Sequence, residues 1–290
     1  MINLAASVSF DDSLHDSINM NYRGSMRMLD LAKQTKNIVS YCHVSTAYVN
    51  CNQPFDTLID EEIYDKDQDV DRLVTKYTNM SPPEIQENIK EILNGYPNTY
   101  TYTKAMTERS ILKKKGTLPC CIVRPSMTGC SWKEPMRGWV DSISAMGAPI
   151  FFYGILFGYA LSAKGDGSEL VDVVAVDQCS NSILLATCYT AMNPSTLHVF
   201  NHTSSDINPM TLKTFCDGVN QFYKYYPHEL QVLTPGVQLA KTPRQRDMLL
   251  KFYQIAPVRA MQLFNKIPVV GSAATSKKLD KVYQAMMKLK

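Results

Sequence analysis

Residues 98 to 109 read Asn-Thr-Tyr-Thr-Tyr-Thr-Lys-Ala-Met-Thr-Glu-Arg and place Tyr100 four residues before Lys104. On a helix, positions i and i+4 lie one above the other on the same face. The spacing therefore puts the Lys104 ammonium close beneath the Tyr100 phenol. A neighbouring cation favours the phenolate, so the tyrosine pKa should fall from about 10 towards the working range. A phenol tuned in this way is a usable general acid or base. The bland alternative is an amphipathic surface helix with an ordinary Tyr and Lys.

The strand before it weighs against that alternative. Residues 38 to 49, IVSYCHVSTAYV, form a β-rich run that ends near Ser45 and Thr46. A hydroxyl at the carboxyl end of a strand lies where open α/β sheets place their ligands. A Ser/Thr hydroxyl on a strand end, followed by Tyr-x-x-x-Lys on the next long helix, resembles the short-chain dehydrogenase/reductase superfamily. The separation from Thr46 to Tyr100 resembles its extended branch.

Outward from these two segments, the chain reads as alternating strands and helices. Residues 1 to 6, MINLAA, read as the end of a buried strand. Leu14, Ile18, Tyr22, Ser25, Leu29 and Ala32 recur at helical spacing, predicting a helix over 14–33. Residues 60 to 71, DEEIYDKDQDVD, read as a solvated surface excursion, since neither the spacing nor the glycine of an EF-hand loop is present. Ser81-Pro82-Pro83-Glu84 is a capping box that starts a helix ending near residue 94. The Tyr100 helix runs to about Lys115 and is stopped by Gly116. Strands follow at 119–125 and 197–201, with helices from Asp177 to Ala191 and Thr211 to Tyr226. Beyond Pro227 the pattern is helical and basic.

The 290 residues carry a net charge of +3, which does not point to nucleic acid as a partner. The eight cysteines are scattered, and no C-x-x-C pair suggests zinc or a redox centre. From Ser142 to Ala163 no residue is charged. That length raises a membrane span, but Gly147, Pro149, Gly154 and Gly158 interrupt it, so a buried loop and helix is the expectation.

Several motifs narrow the resemblance. Arg124-Pro125-Ser126 follows a strand, then Glu134-Pro135-x-x-Gly138-Trp139-x-Asp141. With YCHVSTAYVN at 41–50, YTYTKAMTE at 100–108 and NHTSSDINPMT at 201–211, the order resembles the fatty acyl-CoA reductases over residues 3 to 215. The resemblance implies an α/β fold, a Rossmann-type doubly wound parallel sheet, with a mainly helical C-terminal part from 227 to 290 after a reductase domain over 1–226. It implies NADPH as cofactor and long-chain acyl-CoA as substrate, reduced through an aldehyde to an alcohol. Tyr100 would protonate the oxyanion, Thr46 or Ser45 would hydrogen-bond the same oxygen, and Lys104 would tune Tyr100 and bind the nicotinamide ribose. Asn21, in Asn-x-x-Gly, would help hold that lysine and a proton-relay water. Ala5, Ala6, Pro125 and Ser126 complete the implied cofactor contacts. The 142–163 stretch would line an acyl pocket or touch a membrane surface, and the location would be the cytosol-facing side of a peroxisomal or endoplasmic reticulum membrane.

One expected element is missing. None of the thirteen glycines forms G-x-G-x-x-G or G-x-x-G-x-x-G, the loop that cradles a cofactor pyrophosphate at a helix start. If residues 1–6 are the family's fourth strand, the sheet lacks its first βα units, about 90 residues at roughly 30 per unit. The chain then reads as an N-terminally truncated reductase with little grip on the adenosine half of the cofactor. Two other functions stay open: another extended reductase, such as a sugar-nucleotide epimerase or hydroxysteroid dehydrogenase, or a non-catalytic acyl-binding remnant.

Overall fold

Four strands form one parallel sheet: β1 (Ile2–Asn3), β2 (Tyr41–Val44), β3 (Cys120–Pro125) and β7 (Leu197–His202), in the spatial order β1-β2-β3-β7. The computed structural model describes residues 1–140, 163–164, 166–226, 239–240, 242–266, 276 and 280. Register is set by direct pairs, Asn3 with His43, Val44 with Val123 and Arg124 with Asn201. Every residue of β2 and β3 is buried, as a parallel sheet covered on both faces requires.

Alternation sorts the side chains onto those faces. Tyr41, Cys120 and Ile122 pack against Leu29, Ala32 and Ile111. These last three come from helices α2 (Gly24–Gln34) and α5 (Thr99–Lys114). Cys42, Val44, Cys121 and Val123 pack against Cys179, Ile183 and Ala186 of α6 (Val176–Met192). The doubly wound arrangement inferred from the sequence is therefore present, with one layer of helices on each face. The strand expected over 1–6 is shorter, covering Ile2–Asn3. Among the described residues β1 pairs on one side, with β2.

The helix expected over 14–33 forms as three joined pieces: α1 (Leu14–Ser17), a π-helical turn (Ile18–Arg23) and α2. All six residues of the apolar stripe are buried. The π turn was not visible in the spacing. It redirects Asn21, whose carbonyl accepts a hydrogen bond from the Thr107 hydroxyl at 3.1 Å. Single π turns of this kind gather at functional sites.

Helices α3 (Val70–Asn79) and α4 (Pro82–Leu93) follow. The Glu84 carboxylate accepts from the Ser81 amide and hydroxyl, both at 2.7 Å, so the capping box is formed. Helix α5 starts at Asn98, whose side-chain oxygen accepts from the Thr101 amide at 2.9 Å. It ends before Gly116, which takes a φ of +58° that suits glycine. From Thr101 to Ile111 every residue of α5 is buried. A helix buried all round is a core element, not the surface helix of the bland reading.

The acidic stretch from Asp60 to Asp71 departs from its expected role. Ile63 is buried against the α2 and α5 layer. Arg109 donates to the Tyr64 carbonyl at 3.1 Å, to Gln68 at 2.6 Å and to Asp65 at 2.8 Å. Arg124 donates to the Glu62 carbonyl at 2.7 Å and the Asp60 carbonyl at 3.3 Å. The stretch is a strap held by two buried arginines, with Ile63 and Val70 in the core and most of its acidic side chains exposed. Composition alone suggested a free excursion because the anchoring cations lie about 40 and 60 residues further on.

The chain divides into two compact units, Met1–Trp139 with Val173–Ser204, and Val140–Asp172 with Ser205–Lys290. The first also holds the parallel pair β4 (Met127–Gly129) and β6 (Val173–Ala175). In the second, β5 (Ala163–Lys164) pairs with β8 (Leu239–Ala240). Helix α7 (Leu212–Tyr225) is capped by Thr211, whose hydroxyl accepts from the Thr214 amide. Helices α8 (Pro243–Leu249) and α9 (Ala256–Phe264) flank a second π turn, Leu250–Ile255. The uncharged stretch expected to line a pocket or touch a membrane lies outside the described residues, apart from Ala163. So do residues 227–238 and almost all of 276–290.

Candidate active site

Parallel pairing brings the carboxyl ends of β1, β2 and β3 to one edge of the sheet. The residues just past each strand are therefore gathered there: Ala5 and Ala6 after β1, Ser45 and Thr46 after β2, Ser126 after β3. Ala5 is exposed and Ala6 half-buried, while Ser45, Thr46 and Ser126 are buried. Pro125 closes β3 and pairs with His202, whose carbonyl accepts from the Ser126 amide at 3.0 Å.

Thr46 caps the short 3-10 turn Ala47–Asn50. Its hydroxyl also lies beside the Tyr100 phenol, where it favours the phenolate. The two groups meet because α5 crosses the sheet with its first turn above the end of β2. The Tyr100 ring is half-buried and contacts the exposed Phe10 ring, with centroids 5.8 Å apart. The Ser45 amide donates to the Val123 carbonyl at 2.7 Å, and its hydroxyl is buried without a hydrogen-bond partner. Such orphaned polar atoms are costly. This one lies beside Thr46 at the sheet edge.

One turn below Tyr100, the Lys104 ammonium is almost completely buried and donates to the Val44 carbonyl at 2.9 Å. That bond ties the helix to the end of β2. The expected effect of Lys104 on Tyr100 does not occur. Burial pushes the Tyr100 phenol above its ordinary value, and the Thr46 hydroxyl, not Lys104, opposes the rise. Burial outweighs a cation whose charge is turned towards a carbonyl. Lys104 itself is lowered to about 8 by burial, against the pull of Glu108.

His43 lies on the same face of β2 and is fully buried. Burial, with Lys104 adding to it, holds its imidazole well below the usual range and hence neutral. Its Nδ1 lies 3.2 Å from the Asn3 side-chain nitrogen, and its Nε2 has no hydrogen-bond partner. The Asn3 amide nitrogen also reaches Ser25 and Tyr41, each at 3.2 Å. Alternation could have found His43: it lies two residues from Ser45 and from Tyr41, on the face of the strand that α2 and α5 cover.

Asn21 is buried, not solvent-facing. Its side chain spans two partners. The oxygen accepts from the Ser7 amide at 2.8 Å, and the nitrogen donates to the Ser7 carbonyl at 3.2 Å and the Thr103 hydroxyl at 3.3 Å. It thus fastens the segment after β1 to the helix that carries Tyr100 and Lys104. The residues expected at the site converge on one edge, and Asn21 braces that edge from behind.

Two residues to which the sequence pattern assigned no role complete the region. Glu108 continues the Tyr100–Lys104 spacing by another four positions. Arg124, part of the Arg-Pro-Ser motif, forms a two-pronged pair with it, Nε to Oε1 at 3.0 Å and an outer nitrogen to Oε2 at 2.6 Å. Among the described residues no group of three His, Cys, Asp or Glu side chains could hold a metal ion.

Known proteins resemble this chain at two levels. A family model for NAD-binding domains, described as Male sterility protein, matches residues 1–183. Fatty acyl-CoA reductase 1 of Xenopus laevis is 30% identical over 286 residues, covering 98% of this chain and 54% of that protein. The Homo sapiens protein of the same name is 32% identical over 253 residues, covering 87% of this chain and 47% of that one. The chain spans about half the length of the curated relatives it matches. Among solved structures, the terminal R domain from the myxalamid PKS-NRPS biosynthetic pathway superposes with a TM-score of 0.55 and 15% identity, covering 97% of this chain and 54% of that one. A thiolation-reductase di-domain from an archaeal non-ribosomal peptide synthetase gives 0.53 and 16%, covering 99% of this chain and 66% of that one. At such identity these two share the fold.

Proposed function

Because the chain belongs to the fatty acyl-CoA reductase family, we propose that its sheet edge is the reducing centre of an alcohol-forming acyl-CoA reductase that uses NADPH. The single observation that carries this reading is the meeting of Tyr100 with Thr46 above a buried Lys104. Bound NADPH would supply hydride to the thioester carbonyl carbon. Tyr100, kept protonated at neutral pH by burial, would donate its proton to the oxygen that gains charge. Thr46 would hydrogen-bond the same oxygen, and the partnerless Ser45 hydroxyl could take up a second ligand group there. Departure of CoA leaves an aldehyde, which a second round at the same centre takes to the alcohol.

The fit to the cofactor is uneven. Tyr100, Lys104, Ser45 and Ser126 suit the nicotinamide and its ribose. For the pyrophosphate, the 290 residues contain no glycine-rich strand–helix turn. We therefore expect the chain by itself to hold NADPH weakly and to be inactive. A location at the cytosol-facing surface of a peroxisomal or endoplasmic reticulum membrane belongs to the same proposal and rests on the family alone. Among the described residues no helix is long and apolar enough to cross a membrane.

The test is a chimera in which a glycine-rich, phosphate-binding strand–helix segment is joined ahead of residue 1. With palmitoyl-CoA it should oxidise NADPH and form hexadecanol. Turnover of a UDP-sugar instead, or no turnover by a folded chimera that binds NADPH, would contradict the reading.

A further inference from the structure

The buried ion pair of Glu108 with Arg124 has no part in the proton transfer from Tyr100. It is an unusual feature of this core. Both side chains are nearly inaccessible, 3% and 0% exposed. Burying two charges is expensive, and an apolar pair of similar volume often serves stability as well or better. Such a pair is therefore weak evidence of a purely stabilising role. Its position is more telling. Glu108 lies one helical turn from Lys104, about 6 Å along the axis, on the stripe that continues from Tyr100. Arg124 projects from β3 on the same face of the sheet as Ile122, which packs against α5. Two further N–H groups donate to the carbonyls of Asp60 and Glu62, which holds the guanidinium against the carboxylate.

We propose that Glu108 is a positioning residue: clamped by Arg124, its carboxylate fixes the charge and place of the Lys104 ammonium one turn away. This rests on the reading of Lys104 as part of the reducing centre, but the electrostatic link can be measured without turnover. The titratable and charged groups around Lys104 come from three elements. Glu108, on its own helix, acts on it by charge; Tyr100 on the same helix is protonated, His43 faces it from β2, and Arg124 of β3 pairs with Glu108. His43 is neutral and adds no opposing charge. Without Glu108, burial alone would strip the proton from Lys104 near neutral pH and leave a neutral amine donating to Val44. A charged Lys104 keeps that bond short and presents a cation to a ribose hydroxyl. The Arg124 clamp explains why a carboxylate can do this without collapsing onto the lysine, since both of its oxygens are already occupied.

A role confined to stapling the 60–71 strap to the sheet would predict a different outcome. The experiment is an NMR titration of the lysine side chains, 13C and 15N labelled, in the 290-residue chain without cofactor. In the wild type, Lys104 should titrate near pH 8. In Glu108→Gln its midpoint should fall by about one pH unit or more, the effect of removing a neighbouring opposite charge. If that variant does not fold, the double variant Glu108→Leu/Arg124→Met removes both charges with little change of volume, and its Lys104 midpoint should fall too. Glu108→Asp should recover part of the shift. An unchanged Lys104 midpoint in a folded Glu108→Gln or double variant overturns the proposal and leaves the pair as a staple for the strap. In the chimera, loss of activity with an unchanged Lys104 midpoint would likewise count against Glu108 as the positioning group. A Lys104 midpoint that falls in Glu108→Gln, with an inactive but folded wild-type chimera, would uphold it while refuting the reductase reading.

Discussion

At the scale of single residues, proton supply separates from cation placement. Tyr100 keeps its proton because it is buried, and the neighbouring Thr46 hydroxyl opposes that shift. Tyr100→Phe removes one hydroxyl from a ring that still packs on Phe10, so folding should survive while acyl-CoA reduction by the chimera falls by about 10²-fold or more. Near wild-type turnover would remove Tyr100 from the mechanism. Lys104 makes a prediction for stability. Its folded pKa is lowered to about 8, so the folded state disfavours the charged form. That penalty is complete below pH 8 and relieved as pH rises towards the unfolded value near 10.5. Measured against Lys104→Met, wild-type unfolding free energy should therefore climb between pH 8 and 10.5, by up to about 3 kcal/mol. Parallel curves for the two proteins would show that Lys104 is not perturbed. The i, i+4 spacing made Tyr100 and Lys104 visible in the sequence. The direction of the tyrosine shift was not, because it depends on burial and on a carbonyl that draws the ammonium aside.

At the scale of elements, α5 carries the site and is the best-buried helix of the first unit. Its first turn holds Tyr100, so its N-cap matters beyond helix stability. Asn98→Ala removes the oxygen that accepts from the Thr101 amide and should lower unfolding stability by about 1 kcal/mol. An unaltered denaturation midpoint would mean that the cap contributes nothing there. Capping signals and apolar stripes are enough to place α1, α2, α4 and α5 along the sequence, since both are local. The stripe Leu14, Ile18, Tyr22, Ser25, Leu29, Ala32 is buried throughout. The π turn at Ile18–Arg23 escaped because it answers to partners on another helix, Thr103 and Thr107. The strap escaped for a similar reason. Arg109 and Arg124 decide its path, and nothing near residues 60–71 announces them.

At the scale of the whole molecule, four parallel strands bring the expected hydroxyls, the tyrosine and the lysine to one edge. The glycine-rich turn that would hold a pyrophosphate does not occur in the sequence. The carboxyl edge was legible because a strand–hydroxyl–helix order implies it. The Glu108–Arg124 pair was not, since its members lie on different elements and meet only when the sheet and α5 pack. The central proposal is that these residues form the reducing centre of an acyl-CoA reductase and that a glycine-rich unit would strengthen its hold on the cofactor phosphates. The most direct measurement is a fluorescence titration of NADPH into the 290-residue chain and into the chimera, followed by palmitoyl-CoA. The account predicts saturable micromolar binding and hexadecanol from the chimera alone. Saturable micromolar binding with alcohol formed by the 290 residues themselves would contradict it.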